Sequence, residues 1–186
     1  MSEGNEEVVR RPLAVGARSR RSLDERLALR FPRAAALVAA AVWRLPRRSR
    51  LRQAVIHRAV VLGWESMNRM DFEAGLALYH PDVESAFDPA GRALGFQDTR
   101  GRDTRLAMLR RIYGEFREFR FDPDELIDLG DDRLLVVGRM RGRGVSSGAP
   151  FDTYWANLWT ISAGLVIRDE AILNRPEALQ AAGLSE

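Results

Sequence analysis

The sequence predicts an α+β fold in which N-terminal helices pack on one side of a curved antiparallel sheet. Three observations carry this. The first half of the chain reads as helices bracketed by Pro and opened by Ser or Asp caps. The second half, from about Phe119, is a run of alternating apolar and polar segments separated by turns. The chain has 186 residues, 46% hydrophobic and 30% charged, enough for one domain with a packed core plus an extension. Helices first and consecutive strands afterwards is the α+β order.

Charge divides the chain in two. All 29 basic residues are Arg, and residues 1–63 hold 14 of them against 5 acids, whereas 64–186 hold 15 against 21 acids. A basic arm is joined to an acidic body, which argues against strong nucleic-acid binding. The chain has no Cys, which excludes disulfides and thiol catalysis and suits a cytoplasmic protein. His57 and His80 are its only histidines, too few for a zinc site without carboxylates that the sequence does not place beside them. No metal and no cofactor is expected. With no Lys, there is no Lys-bearing phosphate loop either.

Taken in order, residues 1–21 are Arg-rich and aperiodic, and read as a disordered basic tail. Ser19 to Leu23 resembles a twin-arginine export signal, but Asp24, Glu25, Arg26, Arg30 and Arg33 interrupt any apolar core. Residues 22–62 read as a helical, Arg-rich extension. Ser22 with Glu25 fits a capping box, and Pro32 and Pro46 bracket a second helix over Arg33 to Leu45. Its apolar run, Ala34 to Trp43, is about half a bilayer span. Flanking Arg residues leave a membrane-surface helix open, but packing against the body or a partner chain is the preferred reading.

Ser49 can cap a helix running through Trp64 towards Met70, and Asp71 a short continuation that Pro81 stops. A strand starts at His80, and a Gly- and Pro-punctuated loop follows to about Arg102. Asp103 then caps an amphipathic helix with Leu106, Leu109, Ile112, Tyr113 and Phe116 at helical spacing. Phe119 to Asp132 holds a strand and a turn. From Arg133 to Gly144, Leu134, Val136, Gly138, Met140 and Gly142 alternate with Leu135, Val137, Arg139, Arg141 and Arg143. The Arg stripe on this strand is read as solvated partners of acids. Pro176 to Leu184 is a closing helix that Gly183 terminates.

The most informative stretch is Tyr154 to Leu173, a hairpin with Ala163 and Gly164 as its turn. Counting back from Ser162 opposite Leu165 sets Trp159 against Arg168 and Leu158 against Asp169. One face then carries Trp155, Asn157, Trp159, Arg168 and Glu170, a polar and aromatic set. The other carries Tyr154, Ala156, Leu158, Thr160, Ile167, Asp169, Ala171 and Leu173, an apolar wall holding one carboxylate and one phenol. That composition fits a small-molecule pocket. Alternatively, Asp169 ends a strand or pairs with an Arg at the rim.

From Gly63 to Leu184 the chain resembles the nuclear transport factor 2-like superfamily in its SnoaL-like branch. The resemblance rests on the ordered motifs NRMDFEAGLALYHPDV, TRGRD, ELIDLGDD, WANLWTISAGLVIR and EALQAAGL. It implies a cone-shaped α+β domain over 63–186, with a pocket between helices and a bent sheet, often dimeric. Catalytic members commonly place a His and an Asp two residues apart on the last strand, and here those positions hold Asp169 and Ala171. The activities it implies are those of polyketide cyclases, ketosteroid isomerases and dehydratases.

The expected site therefore has Asp169 as base and Tyr154, or alternatively Tyr79 or Tyr113, as donor to an enolate oxygen. Its walls would come from Trp64, Tyr79, Tyr113, Ala156, Leu158, Ala171 and Leu173, and its occupant would be an apolar small molecule. Two functions stay open, proton abstraction next to a carbonyl and ligand binding or dimerisation without chemistry. The latter predicts an acid tied up by an Arg. The assembly expected is a homodimer. Gly144 to Gly148 matches a nucleophile-elbow pattern around Ser146, but Pro150 and another strand follow it and no downstream His exists, so hydrolysis is excluded.

Overall fold

The computed structural model describes residues 8–16 and 18–184. A short strand, β1 (Val9–Pro12), precedes four helices: α1 (Leu23–Arg30), α2 (Pro32–Trp43), α3 (Arg50–Asn68) and α4 (Phe72–Gly75). Then come β2 (Tyr79–Phe87), α5 (Pro89–Ala93), β3 (Thr99–Arg100) and α6 (Arg102–Gly114). Four long strands follow, β4 (Phe116–Gly130), β5 (Arg133–Gly144), β6 (Pro150–Ser162) and β7 (Leu165–Ile172), and α7 (Arg175–Ala182) closes the chain. The strands form one curved, unclosed sheet in the order β1-β4-β5-β6-β7-β2-β3, as the α+β reading requires. Only β2 with β7 pairs parallel.

The helix boundaries follow local chemistry. At the start of α1 the Ser22 and Glu25 side chains each satisfy the other residue's backbone N–H, the expected capping box. Ser49 caps α3, and Asn174 caps α7, which ends at Gly183 in the left-handed conformation. Asp71 sits at the start of α4 but caps nothing, because Arg21 and Arg69 take its carboxylate.

The sheet separates two cores. On its concave side Trp64, Leu76, Val83, Ile112, Phe121, Val136, Met140, Trp155 and Trp159 pack beneath α3 and α6. On its other side Ala178 and Ala182 of α7 cover Ile127, Leu135, Ala156, Leu158 and Ile172. The alternation predicted for β5 holds, with Leu134 and Val136 in the first core and Leu135 and Val137 against the second.

Two expectations are corrected. The tail over residues 1–21 is not wholly disordered: Val9–Pro12 pairs with Glu125–Asp128 of β4 as an edge strand. Leu13 is buried in the main core and Val8 packs against the smaller one, so both ends of a segment too short to show periodicity are anchored. Residues 1–7 and 17 of the expected tail lie outside the described residues.

The second correction concerns the hairpin. Ala163 and Gly164 form the turn, with φ of 48° and 78°, and Ser162 pairs with Leu165 as counted. Beyond Ile161↔Val166 the register then shifts, because Ile167 is an extra residue on β7. Trp159 consequently pairs with Asp169, Leu158 with Glu170 and Asn157 with Ala171. One bulge thus moves Asp169 and Ala171 onto the tryptophan face.

Candidate functional site

Asp169 is 1% exposed and lies inside the cone. β7 brings it beside Asn157 of β6, and the neighbouring β2 supplies Tyr79. Tyr79 Oη donates to Asp169 Oδ2 at 3.0 Å, and Arg105 Nη2 of α6 donates to the same oxygen at 2.5 Å. Asn157 Nδ2 donates to Oδ1. The Arg105 guanidinium also lies 5.4 Å from the Tyr79 ring centroid and 5.9 Å from that of Phe87. Both carboxylate oxygens are therefore engaged by protein donors, and the charge is countered within the core. Burial first, and then the negative charge of Asp169, push the Tyr79 phenol well above its usual range, so it stays a neutral donor.

Aromatic rings fill what space remains. Trp64 meets Trp155 edge-on at 4.4 Å between centroids and stacks on Trp159 at 6.1 Å. The hollow left beside Arg105 and Asn157 is about 30 Å³, the volume of one or two waters. A polycyclic substrate does not fit there.

A far larger cavity, about 580 Å³, lies under the arm. Val38, Ala39, Val42 and Trp43 of α2 form its roof. Val55, Ala59 and Leu62 of α3 form one wall, and Leu134, Trp159, Ile161 and Val166 at the end of the sheet form the floor. Its charged groups are few: Glu25, and the Arg58–Asp24 ion pair (2.8 Å) at the exposed border.

The arm that roofs this cavity is pinned at both ends. Glu25 of α1 accepts from Ser66 Oγ at 2.5 Å and from Arg69. Arg21 grips Asp71 through two bonds of 2.6 and 2.7 Å. Burial alone would raise the Glu25 carboxyl, but the bonds from Arg69, Ser66 and Ser22 outweigh it and hold the group below its ordinary range. The Arg21 bond, reinforced by Arg69, does the same for Asp71. At the far end Trp43 Nε1 donates to Asp132, and the Arg52 guanidinium lies 4.5 Å from the Trp43 ring centroid. In the middle, α2 rests directly on the hairpin turn. A Cβ on Gly164 would meet the Ala39 carbonyl carbon at 2.3 Å.

The residues expected at the site divide between these places. Trp64, Tyr79, Tyr113, Ala171 and Leu173 join Asp169 on the concave side, and Trp64 and Tyr79 also border the large cavity. Tyr154, Ala156 and Leu158 lie on the opposite face beneath α7. The structure thus does not bring Tyr154 and Asp169 together. Arg105 went unnoticed in the sequence, although it had a signal: it precedes Met108, Leu109 and Ile112 by three, four and seven residues, a cation on the buried stripe of α6. Nothing in the sequence marks Val42, Ala59 or Ala39 as cavity wall, because small apolar residues on a helix read equally well as core.

An open, curved and mostly antiparallel sheet with helices on its concave side defines a nuclear transport factor 2-like α+β cone. The SnoaL-like domain family model matches residues 62–169, and the chain belongs to that family. No curated protein matches it. Among solved structures it is similar to a nuclear transport factor 2-like protein of unknown function from Burkholderia pseudomallei, with 24% identity and a TM-score of 0.57 over 66% of this chain and 93% of that one. It is also similar to TerC, co-crystallised with polyporic acid, at 21% identity and a TM-score of 0.56 over 68% and 96%. A third, from Catenulispora acidiphila, has a ketosteroid isomerase-like fold and is in complex with trimethylamine (13% identity, TM-score 0.54, 68% and 93% covered). At these identities the likeness is one of fold. The matched region begins at Leu62, so most of the arm lies outside it.

Proposed function

We propose that this chain binds an apolar small molecule beneath its helical arm and carries out no chemistry at Asp169. One contrast supports the reading. The hollow beside Asp169 is about 30 Å³, and its acid is held by Arg105, Tyr79 and Asn157, whereas the arm encloses about 580 Å³ of mostly apolar space. The larger volume falls in the range of small-molecule sites, and its sparse polar groups at one border suit a hydrocarbon body with a single polar end. To act as a base, Asp169 would first have to break a charge-assisted hydrogen bond inside the core. The neighbouring TerC, crystallised with polyporic acid, is an example of this fold meeting an organic ligand.

The test is titration with a fluorescent long-chain fatty acid. Saturable uptake with a dissociation constant on the order of micromolar is expected, lost when Ala59→Trp fills the cavity from α3. Uptake indifferent to Ala59→Trp overturns the reading. So does turnover of an unsaturated ketone that disappears with Asp169→Asn.

A further inference from the structure

The arm carries a second feature that the cavity does not use. We infer that the outward faces of α1 and α2 are a docking surface for an anionic membrane, from which the cavity takes its ligand. α2 is the most apolar helix of the chain, yet none of its residues is buried. Ala39, Val42 and Trp43 face the cavity and Val38 stands at its rim, while Ala34, Leu37, Val38 and Ala41 form an exposed stripe. Leu37 is 72% and Val38 61% exposed. Of the nine large apolar side chains most exposed among the described residues, six lie at Leu23, Leu27, Phe31, Leu37, Val38 and Leu51. Isolated exposed apolar side chains need no explanation, but six within one arm do.

Charge identifies the occupant. From Arg26 to Trp64 the chain holds nine Arg and not one Asp or Glu. Arg26, Arg30, Arg33, Arg44 and Arg50 are exposed, and no carboxylate among the described residues pairs with them. Arg33 and Arg44 stand at the two ends of α2, about 17 Å apart along its axis. Laid flat on a bilayer, the helix sets both guanidiniums at headgroup level while Leu37 and Val38 reach the acyl boundary. A nucleic acid would engage the cations and leave the apolar stripe in water. A second copy docked arm to arm would meet like charge. No helix among the described residues is long and apolar enough to cross a membrane, so the contact is peripheral. Val38 and Ala54 border the cavity and are exposed, so its mouth opens on this same arm.

The inference extends the ligand-binding reading, but its test reads vesicle association rather than ligand uptake, so the two can fail separately. The full chain is floated with vesicles of phosphatidylcholine alone and with about a third phosphatidylglycerol. Association with the anionic vesicles is expected, about ten-fold weaker on neutral ones and at about 0.5 M salt. Leu37→Glu and the pair Arg33→Glu with Arg44→Glu each lower it about ten-fold, whereas Arg117→Glu, exposed on the body, does not. Thermal melts check that the variants fold. No vesicle association, equal association with neutral vesicles, or indifference to Leu37→Glu overturns the inference. It is also overturned if Leu37→Glu instead abolishes self-association or oligonucleotide binding while vesicles go unbound.

Discussion

Arg105 Nη2 lies 2.5 Å from Asp169 Oδ2, with both side chains buried in the core of the cone. The acid at the position where catalytic relatives are expected to carry a histidine is here part of the packing. Tyr79 and Asn157 complete its coordination, and three tryptophans close the space around it. The volume absent from this chamber reappears beneath the arm, whose roof over the cavity precedes the family-matched region.

Removing one member of that pair should be costly. Arg105→Leu leaves a buried carboxylate without its cation and is expected to destabilise the fold by about 3–5 kcal/mol in denaturant titration. Adding Asp169→Leu should recover most of that loss, because an apolar pair can replace a buried ion pair. A single Arg105→Leu change that left stability unaltered would mean the pair is not formed.

Gly164 should tolerate no side chain. Its φ of 78° favours Gly, and a Cβ would strike the Ala39 carbonyl carbon of α2 at 2.3 Å. Gly164→Ala is expected to cost about 1–3 kcal/mol and to lift α2 from the hairpin. Limited proteolysis should then cut the arm faster while the body stays intact.

Arm docking should weaken in acid. Glu25 and Asp71 have folded-state pKa values below their unfolded ones. Their contribution is thus complete above the unfolded values and is lost as pH falls through the lower folded values. Protection of the α1 amides against hydrogen exchange, taken relative to the intrinsic exchange rate at each pH, is expected to decline below about pH 4. Glu25→Gln should speed exchange at neutral pH and flatten this dependence.

Tyr154 should be dispensable for binding. It is half-buried beneath α7, where burial raises its phenol pKa, and it shares no face with Asp169. Tyr154→Phe is expected to change stability by no more than about 0.5 kcal/mol and to leave fatty-acid uptake unaltered.

Much of the fold was legible because each signal was local. The capping box at Ser22 and Glu25, the Ala163–Gly164 turn and the alternation along Leu134 to Met140 are set by residues close in sequence. The site was less so. The bulge at Ile167 leaves no mark in the pattern, since Val166 and Ile167 are β-branched residues of an ordinary strand, yet it transfers Asp169 to the other face. Arg105 was one arginine among 29 until α6 turned it inward. The cavity under α2 depends on an arm folding back over the end of the sheet, a contact between residues such as Ala39 and Gly164 that lie far apart along the chain.

The most direct test of where this protein holds its ligand is a crystal structure of the chain with a long-chain fatty acid bound. Ligand density is predicted between Val42, Ala59, Ile161 and Val166, with the Arg105–Asp169 pair intact. Density beside Asp169, with Arg105 swung away to admit it, would contradict the account.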